Sequence, residues 1–160
     1  LAPEEITIAE VLKKGGYAYR VHQFEHRSGA VSYGREAAQQ LQIAEQQIFK
    51  TLLARLEPHT FAVVLVPVSH QLDLKRLAKA AGVRKAAMAS LQDVPRITGY
   101  LPGGVSPVGL KKNLNVLIDE QARRFDNIFI SAGKRGVEIS LSPITLAKVT
   151  HASFCLLCRQ

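Results

Sequence analysis

The most constraining feature of this 160-residue chain is the segment Phe61-Ala62-Val63-Val64-Leu65-Val66-Pro67-Val68, eight positions without one polar side chain. A β-strand turns alternate residues to opposite faces, so a run that is apolar at every position is apolar on both. Such a strand belongs at the centre of a sheet. The preceding run, Phe49 to Leu56, is also β-prone, and only Glu57-Pro58-His59-Thr60 separates the two, a connection that suits a hairpin.

Helices are signalled around this pair. Asp73 is placed to cap a helix whose Leu74, Leu77, Ala78 and Ala81 fall on one stripe, and Gly82 supplies its stop. Thr7-x-x-Glu10 reads as a capping box opening a short helix that Gly15-Gly16 closes, followed by an alternating strand from Tyr17 to Glu25. A second helix is expected from about Ser32 to Leu41. Asn127 to Ser131 and Val137 to Leu141 read as strands joined by residues 132–136, and Ser142-Pro143 gives a cap with proline at the first helical position. The sum is an α/β fold with a mixed, partly antiparallel sheet, without regular Rossmann alternation.

Hydrophobic content of 47% and charged content of 21% fit one globular domain over residues 1–160, long enough to bury roughly 70% of its unfolded surface without disulfide or metal staples. No run approaches the ~20 apolar residues of a membrane span, and no secretory leader is evident, so a soluble cytoplasmic protein is expected. The two cysteines, Cys155 and Cys158, fit a reducing compartment; they read as small apolar residues of a C-terminal tail more readily than as a redox or metal pair.

The net charge of +8 is unevenly distributed. Residues 1–60 carry seven Lys/Arg against seven Asp/Glu, whereas residues 61–160 carry fourteen against six. The basic pairs in the second part, among them Lys111-Lys112 and Lys134-Arg135, are spread as on a folded surface facing a polyanion. Each pair alone would serve equally well as a solvated face.

Three constellations can carry chemistry. Lys50, read on its strand, shares a face with Leu52, Ala54 and Leu56, so its ammonium points toward apolar surroundings; the competing reading is a strand-end lysine that snorkels into water. Thr98 to Gly109 holds four glycines, two prolines and no charge, a composition that lets backbone amides approach a carbonyl or oxyanion, although it matches no phosphate-loop pattern. Ser131-Ala132-Gly133-Lys134-Arg135-Gly136 is a basic tip with a hydroxyl at its base. The five histidines have no metal-ligand spacing, His22 and His26 sharing a strand face without an evident partner, and neither a nucleophile elbow nor an acid–base carboxylate pair is apparent. No metal and no cofactor are expected.

Taken in order, these constellations resemble the YbaK/EbsC family of editing domains associated with prolyl-tRNA synthetase. Phe49-Lys50-Thr51-Leu52-Leu53 is similar to the family's lysine motif, Gln71 to Lys75 to its following helix, Thr98 to Gly109 to its glycine loop and Ser131 to Gly136 to its basic hairpin, so the likeness spans nearly the whole chain. The resemblance implies a curved, mixed sheet with surrounding helices, and hydrolysis of mischarged aminoacyl-tRNA, Cys-tRNA(Pro) first, with Ala-tRNA(Pro) deacylation or a non-catalytic tRNA-binding or synthetase-binding module as alternatives. It implies that Lys50 holds the aminoacyl ester and that Phe24, Tyr33, Thr51, Gly103, Gly104, Ser106, Ser131, Gly133 and Glu138 surround a small amino-acid pocket. Lys111, Lys112, Lys134 and Arg135 would face tRNA, with prolyl-tRNA synthetase as a partner. Phe24 and Tyr33 interchange the family's tyrosine and phenylalanine, and Glu138 stands where an aspartate is usual; these departures bear on which amino acid is accepted.

Overall fold

The computed structural model describes residues 3–25 and 33–159, with side chains from Ile8 in the first segment and from Gly34 in the second. Within them the helices are α1 (Pro3–Lys14), α2 (Tyr33–Leu41), α3 (Leu74–Ala81), α4 (Asp93–Thr98) and α5 (Pro143–Thr150). The strands are β1 (Arg20–Gln23), β2 (Phe49–Leu56), β3 (Thr60–Pro67), β4 (Ala86–Met88), β5 (Asn115–Asp119), β6 (Ile128–Ser131), β7 (Val137–Leu141) and β8 (Ser153–Cys155).

The apolar run is β3, third of five strands in the order β4-β2-β3-β5-β8. Ala62 to Val66 are wholly inaccessible to solvent, because Val63 and Leu65 pack into one core and Ala62, Val64 and Val66 into another on the opposite face. β2 and β3 form the expected antiparallel hairpin, from Phe49 opposite Pro67 to Leu56 opposite Thr60. β5 joins β3 in parallel and β8 joins β5 in parallel, so the sheet is mixed. A second, antiparallel sheet, β1-β7-β6, meets it through a parallel bridge between Ile48 and Phe129. This junction lies at the start of β2, one residue before Phe49 and two before Lys50.

Local chemistry sets the helices. The Asp73 carboxylate accepts from the amides of Lys75 and Arg76 at 3.0 and 3.2 Å, and Gly82 ends α3 in the left-handed conformation with φ 69°. Leu77 and Ala78 then seat α3 over Ala54, Leu56, Val64 and Val66. Ser142 caps α5 through the amides of Ile144 and Thr145, with Pro143 at its first position. The capping box expected at Thr7 is not used: α1 begins at Pro3, where a missing N–H costs nothing, and Thr7 falls inside the helix. The expected strand from Tyr17 to Glu25 shortens to Arg20–Gln23, the only part paired with β7. Ser32, expected to open α2, and His26 lie outside the described residues.

The C-terminal residues are not a loose tail. Asp119, 2% exposed at the end of β5, accepts from Leu157 N and Cys158 N through Oδ1 at 2.9 and 3.2 Å and from Gln121 N through Oδ2 at 3.0 Å. Leu157 O in turn accepts from Asp73 N, and Arg159 N donates to Gln71 O, so the chain end is stitched to the entry of α3. Among the described residues no helix is long and apolar enough to cross a membrane, and no group of three His, Cys, Asp or Glu side chains is placed to hold a metal.

Candidate active site

A cavity of about 530 Å³ wraps the N-terminal end of β2, within the size range of small-ligand sites. Its wall draws on α2 (Gly34, Arg35), β2 and its lead-in (Ile48 to Leu52), the residue that follows β3 (Val68), the glycine loop (Gly103, Val105) and the β6–β7 hairpin (Ser131, Arg135, Glu138). The three constellations of the sequence thus meet around one space.

Lys50 lies opposite Val66 in the hairpin register, on the β2 face that carries Leu52, Ala54 and Leu56. It is half-buried, and burial pulls its ammonium below the usual lysine range. Cys158 would oppose that shift only as a thiolate, and the like charge of Arg35 adds to it. Burial and the neighbouring Asp119 carboxylate push the Cys158 thiol up to about 12, so at neutral pH it is uncharged and gives Lys50 no counter-charge. Cys155, also free, is pushed up to about 11 by burial first and then by Asp119 and Glu120. Neither thiol is poised as a nucleophile. Thr51 Oγ1 is buried with no hydrogen-bond partner, alone in this among described side-chain atoms, and its residue lines the cavity. An orphaned hydroxyl costs free energy unless a ligand or water completes it.

Across the cavity, Glu138 is 1% exposed and pairs in register with Ser131 on β6 and His22 on β1. Ser131 Oγ accepts from Gly133 N at 3.1 Å, which leaves its O–H able to donate elsewhere. The glycine loop is held closed at its base, where Lys111 N donates to Thr98 O at 3.0 Å and the Tyr100 hydroxyl donates to Val108 O. Gly103 takes φ 82°, and a Cβ there would lie 2.7 Å from the Arg135 guanidinium. At Gly104 a Cβ would lie 3.1 Å from Lys134 Cα, so loop and hairpin meet backbone to backbone.

A model of the aminoacyl-tRNA editing domain matches residues 29–149, which include every wall segment of the cavity. The chain belongs to the aminoacyl-tRNA editing domain family. This editing domain is 37% identical over 136 residues to EbsC of Enterococcus faecalis, which bears the name of a Cys-tRNA(Pro)/Cys-tRNA(Cys) deacylase, the match covering 85% of this chain and 82% of that protein. It is 30% identical over 132 residues to YwhH of Bacillus subtilis, with 82% of each protein covered. A 28% identical match to proline–tRNA ligase of Limosilactobacillus fermentum covers 63% of this chain but 18% of the ligase. The fold superimposes on a solved trans-editing protein for prolyl tRNA synthetase with TM-score 0.87 at 24% identity, over 100% of this chain and 99% of that one.

Of the residues expected to form the editing site, Lys50, Thr51, Gly103, Ser131 and Glu138 line the cavity, and Arg135, expected to face tRNA, stands on its rim. Others lie behind the wall. Ser106 is fully buried with its Oγ accepting from Val108 N, and the Gly104 amide donates to Leu101 O within the loop's own turn. Gly133 is part of the turn tied to Ser131. Phe24 packs half-buried on the cluster of Ala37, Ala38, Ile48 and Phe129, while the side chain of Tyr33 is outside the described residues. His22 bonds Ser140 Oγ at 2.8 Å and tilts against Phe129, a packing role. Lys134 is exposed at the hairpin tip. Lys111 and Lys112 border a separate depression beside the start of β5 and the end of α5. Sequence reasoning missed Gly34, Arg35, Ile48 and Val68, and did not single out Val105 within the glycine loop it had assigned to the pocket. Only Gly34 carried a usable signal: a Cβ there would lie 2.4 Å from Val68 Cγ2, so glycine is what allows α2 to reach the wall.

Proposed function

We propose that this editing domain is a trans-acting deacylase that hydrolyses the ester between a mischarged cysteine and the terminal ribose of tRNA(Pro), working alongside prolyl-tRNA synthetase. The observation that carries the reading is Lys50: an ammonium weakened by burial, without compensation from Cys158, on the wall of a cavity of about 530 Å³ that can hold an aminoacyl ester with its ribose. A cation so placed is stabilised most when an adjacent oxygen gains negative charge, which happens as an ester carbonyl is attacked. Support for the substrate comes from the relative named for Cys-tRNA(Pro) deacylation, and for the synthetase partner from the match within a proline–tRNA ligase.

Each wall residue then has a task. Lys50 donates hydrogen bonds to the ester or terminal-nucleotide oxygens and favours the developing oxyanion. Ser131 and Gly103 bound the amino-acid side. Glu138, the carboxylate on the wall, faces the substrate's α-ammonium. The protein needs no nucleophile of its own, because the substrate sulfur can bond to its own carbonyl carbon as the carbon–oxygen bond to the ribose breaks. The thiol proton ends on the departing ribose hydroxyl, and water opens the cyclic thioester to free cysteine. Purified protein incubated with Cys-tRNA(Pro), Ala-tRNA(Pro) and Pro-tRNA(Pro) tests this: loss of cysteine with retention of proline is expected. Preferential loss of alanine would move the chain to the sister specificity, and loss of neither would make it a binding module.

A further inference from the structure

The cavity wall carries three cationic side chains, Arg35, Lys50 and Arg135, against one carboxylate, Glu138. An ester has no net charge and an α-ammonium is positive, so the amino-acid end of the substrate brings these cations no anion. Arg35 is the cation no motif announced. The close seat of Gly34 against Val68 holds the start of α2 at the wall and with it Arg35 beside Lys50. Its guanidinium Nε lies 3.4 Å from Glu45 Oε1, with the two side chains 58% and 43% exposed. An ion pair so exposed contributes little, so a better anion can take the carboxylate's place at small cost.

Resting on the editing reading, we propose that Arg35 is a substrate-binding residue for the phosphodiester 5′ to the terminal adenosine, and that Glu45 occupies the guanidinium until that phosphate arrives. The guanidinium matches phosphate with paired donors, a stronger partner than one carboxylate oxygen at 3.4 Å. The site then reads a nucleotide as well as an amino acid. Free aminoacyl esters that lack the phosphate would bind weakly, and Glu45 would act as a competitor built into the protein.

The probes are the trinucleotide CpCpA and adenosine, titrated by chemical-shift mapping into the full chain and into the Arg35→Gln and Glu45→Gln variants at one fixed salt concentration. The parent should bind CpCpA more tightly than adenosine. Arg35→Gln should weaken CpCpA about tenfold, the scale of one charge-assisted contact. Glu45→Gln should tighten it, and adenosine should bind all three proteins alike. A residue with only a structural role would not give opposite signs in the two variants. No preference for CpCpA in the parent, an unchanged CpCpA affinity in Arg35→Gln, a parallel loss of adenosine, or weaker CpCpA binding in Glu45→Gln would each overturn the proposal. Binding is read without turnover, so normal CpCpA behaviour with no deacylation of Cys-tRNA(Pro) would sink the editing reading and leave the phosphate site standing.

Discussion

Asp119 offers the sharpest stability test, because one buried carboxylate organises the chain end that packs behind the cavity. Asp119→Ala removes the acceptor for three amides, two of which, on Leu157 and Cys158, belong to buried residues. A buried donor left without a partner costs about 1–3 kcal/mol, so two such donors set a loss of roughly 3 kcal/mol after partial relaxation. In a domain of this size that lowers Tm by about 6–12 °C. Asp119→Asn is the informative control. Its carbonyl oxygen can replace Oδ1 and keep both buried amides, whereas its NH2 group cannot accept from Gln121 N, so about half the loss or less is expected. Urea denaturation monitored by circular dichroism, with amide exchange at Leu157 and Cys158, measures both effects. A loss below about 1 kcal/mol in Asp119→Ala, or equal losses in the two variants, would show that this carboxylate does not hold the chain end in place.

Lys50→Met should raise stability at neutral pH by less than ~1 kcal/mol, since the ammonium it removes is half-buried and partly screened. Burial lowers the folded-state pKa, so the penalty on the charged form is complete at neutral pH and fades as pH rises toward the ordinary 10.5; melts across that range should show the advantage of methionine shrinking, and an advantage that grows with pH would reverse the sign of the argument. Gly103→Val forces a β-branched side chain to φ 82° under Arg135, and should lower turnover by up to the ~3 kcal/mol that one oriented donor contributes to a transition state; Gly104→Val, which meets backbone at Lys134, should lower both turnover and stability, and normal deacylation by both would leave the loop a mere connector. Affinity for tRNA should fall steeply with salt because the +8 excess lies wholly after residue 60; a flat dependence in filter binding would contradict a basic tRNA-facing surface.

What was legible in the sequence was written in local periodicity and caps. β2, β3, β7, α3 and α5 each carry their own signal, an alternation, an unbroken apolar run, or an Asp or Ser cap; the first four are found within a residue of their expected bounds and α5 starts where its cap places it. β5 and β8 were not read. β8 has three residues and gains its strand geometry only by pairing with β5, while the Val116-Leu117-Ile118 run of β5 is too short to separate from a buried loop. Pro95 hid the six-residue α4, whose first turn tolerates it. The site divides the same way. Lys50 follows from a strand's period of two and Thr51 from the family likeness alone, but Arg35 and Val105 reach the cavity through contacts among segments far apart in the chain. Asp119 is another such case: nothing near it in sequence announces that its carboxylate will meet residues 157 and 158.

Whether the Lys50 ammonium stabilises charge developed during ester cleavage is decided by single-turnover deacylation of Cys-tRNA(Pro) by the parent, Lys50→Ala and Lys50→Arg. Lys50→Ala should lose most of its rate while retaining its melting behaviour and much of its tRNA affinity, since Lys111 and Lys112 border a separate depression and Lys134 is exposed at the hairpin tip. Lys50→Arg should recover little, because a planar guanidinium does not place its donors where a compact ammonium does. A parental rate in Lys50→Ala would remove Lys50 from the mechanism.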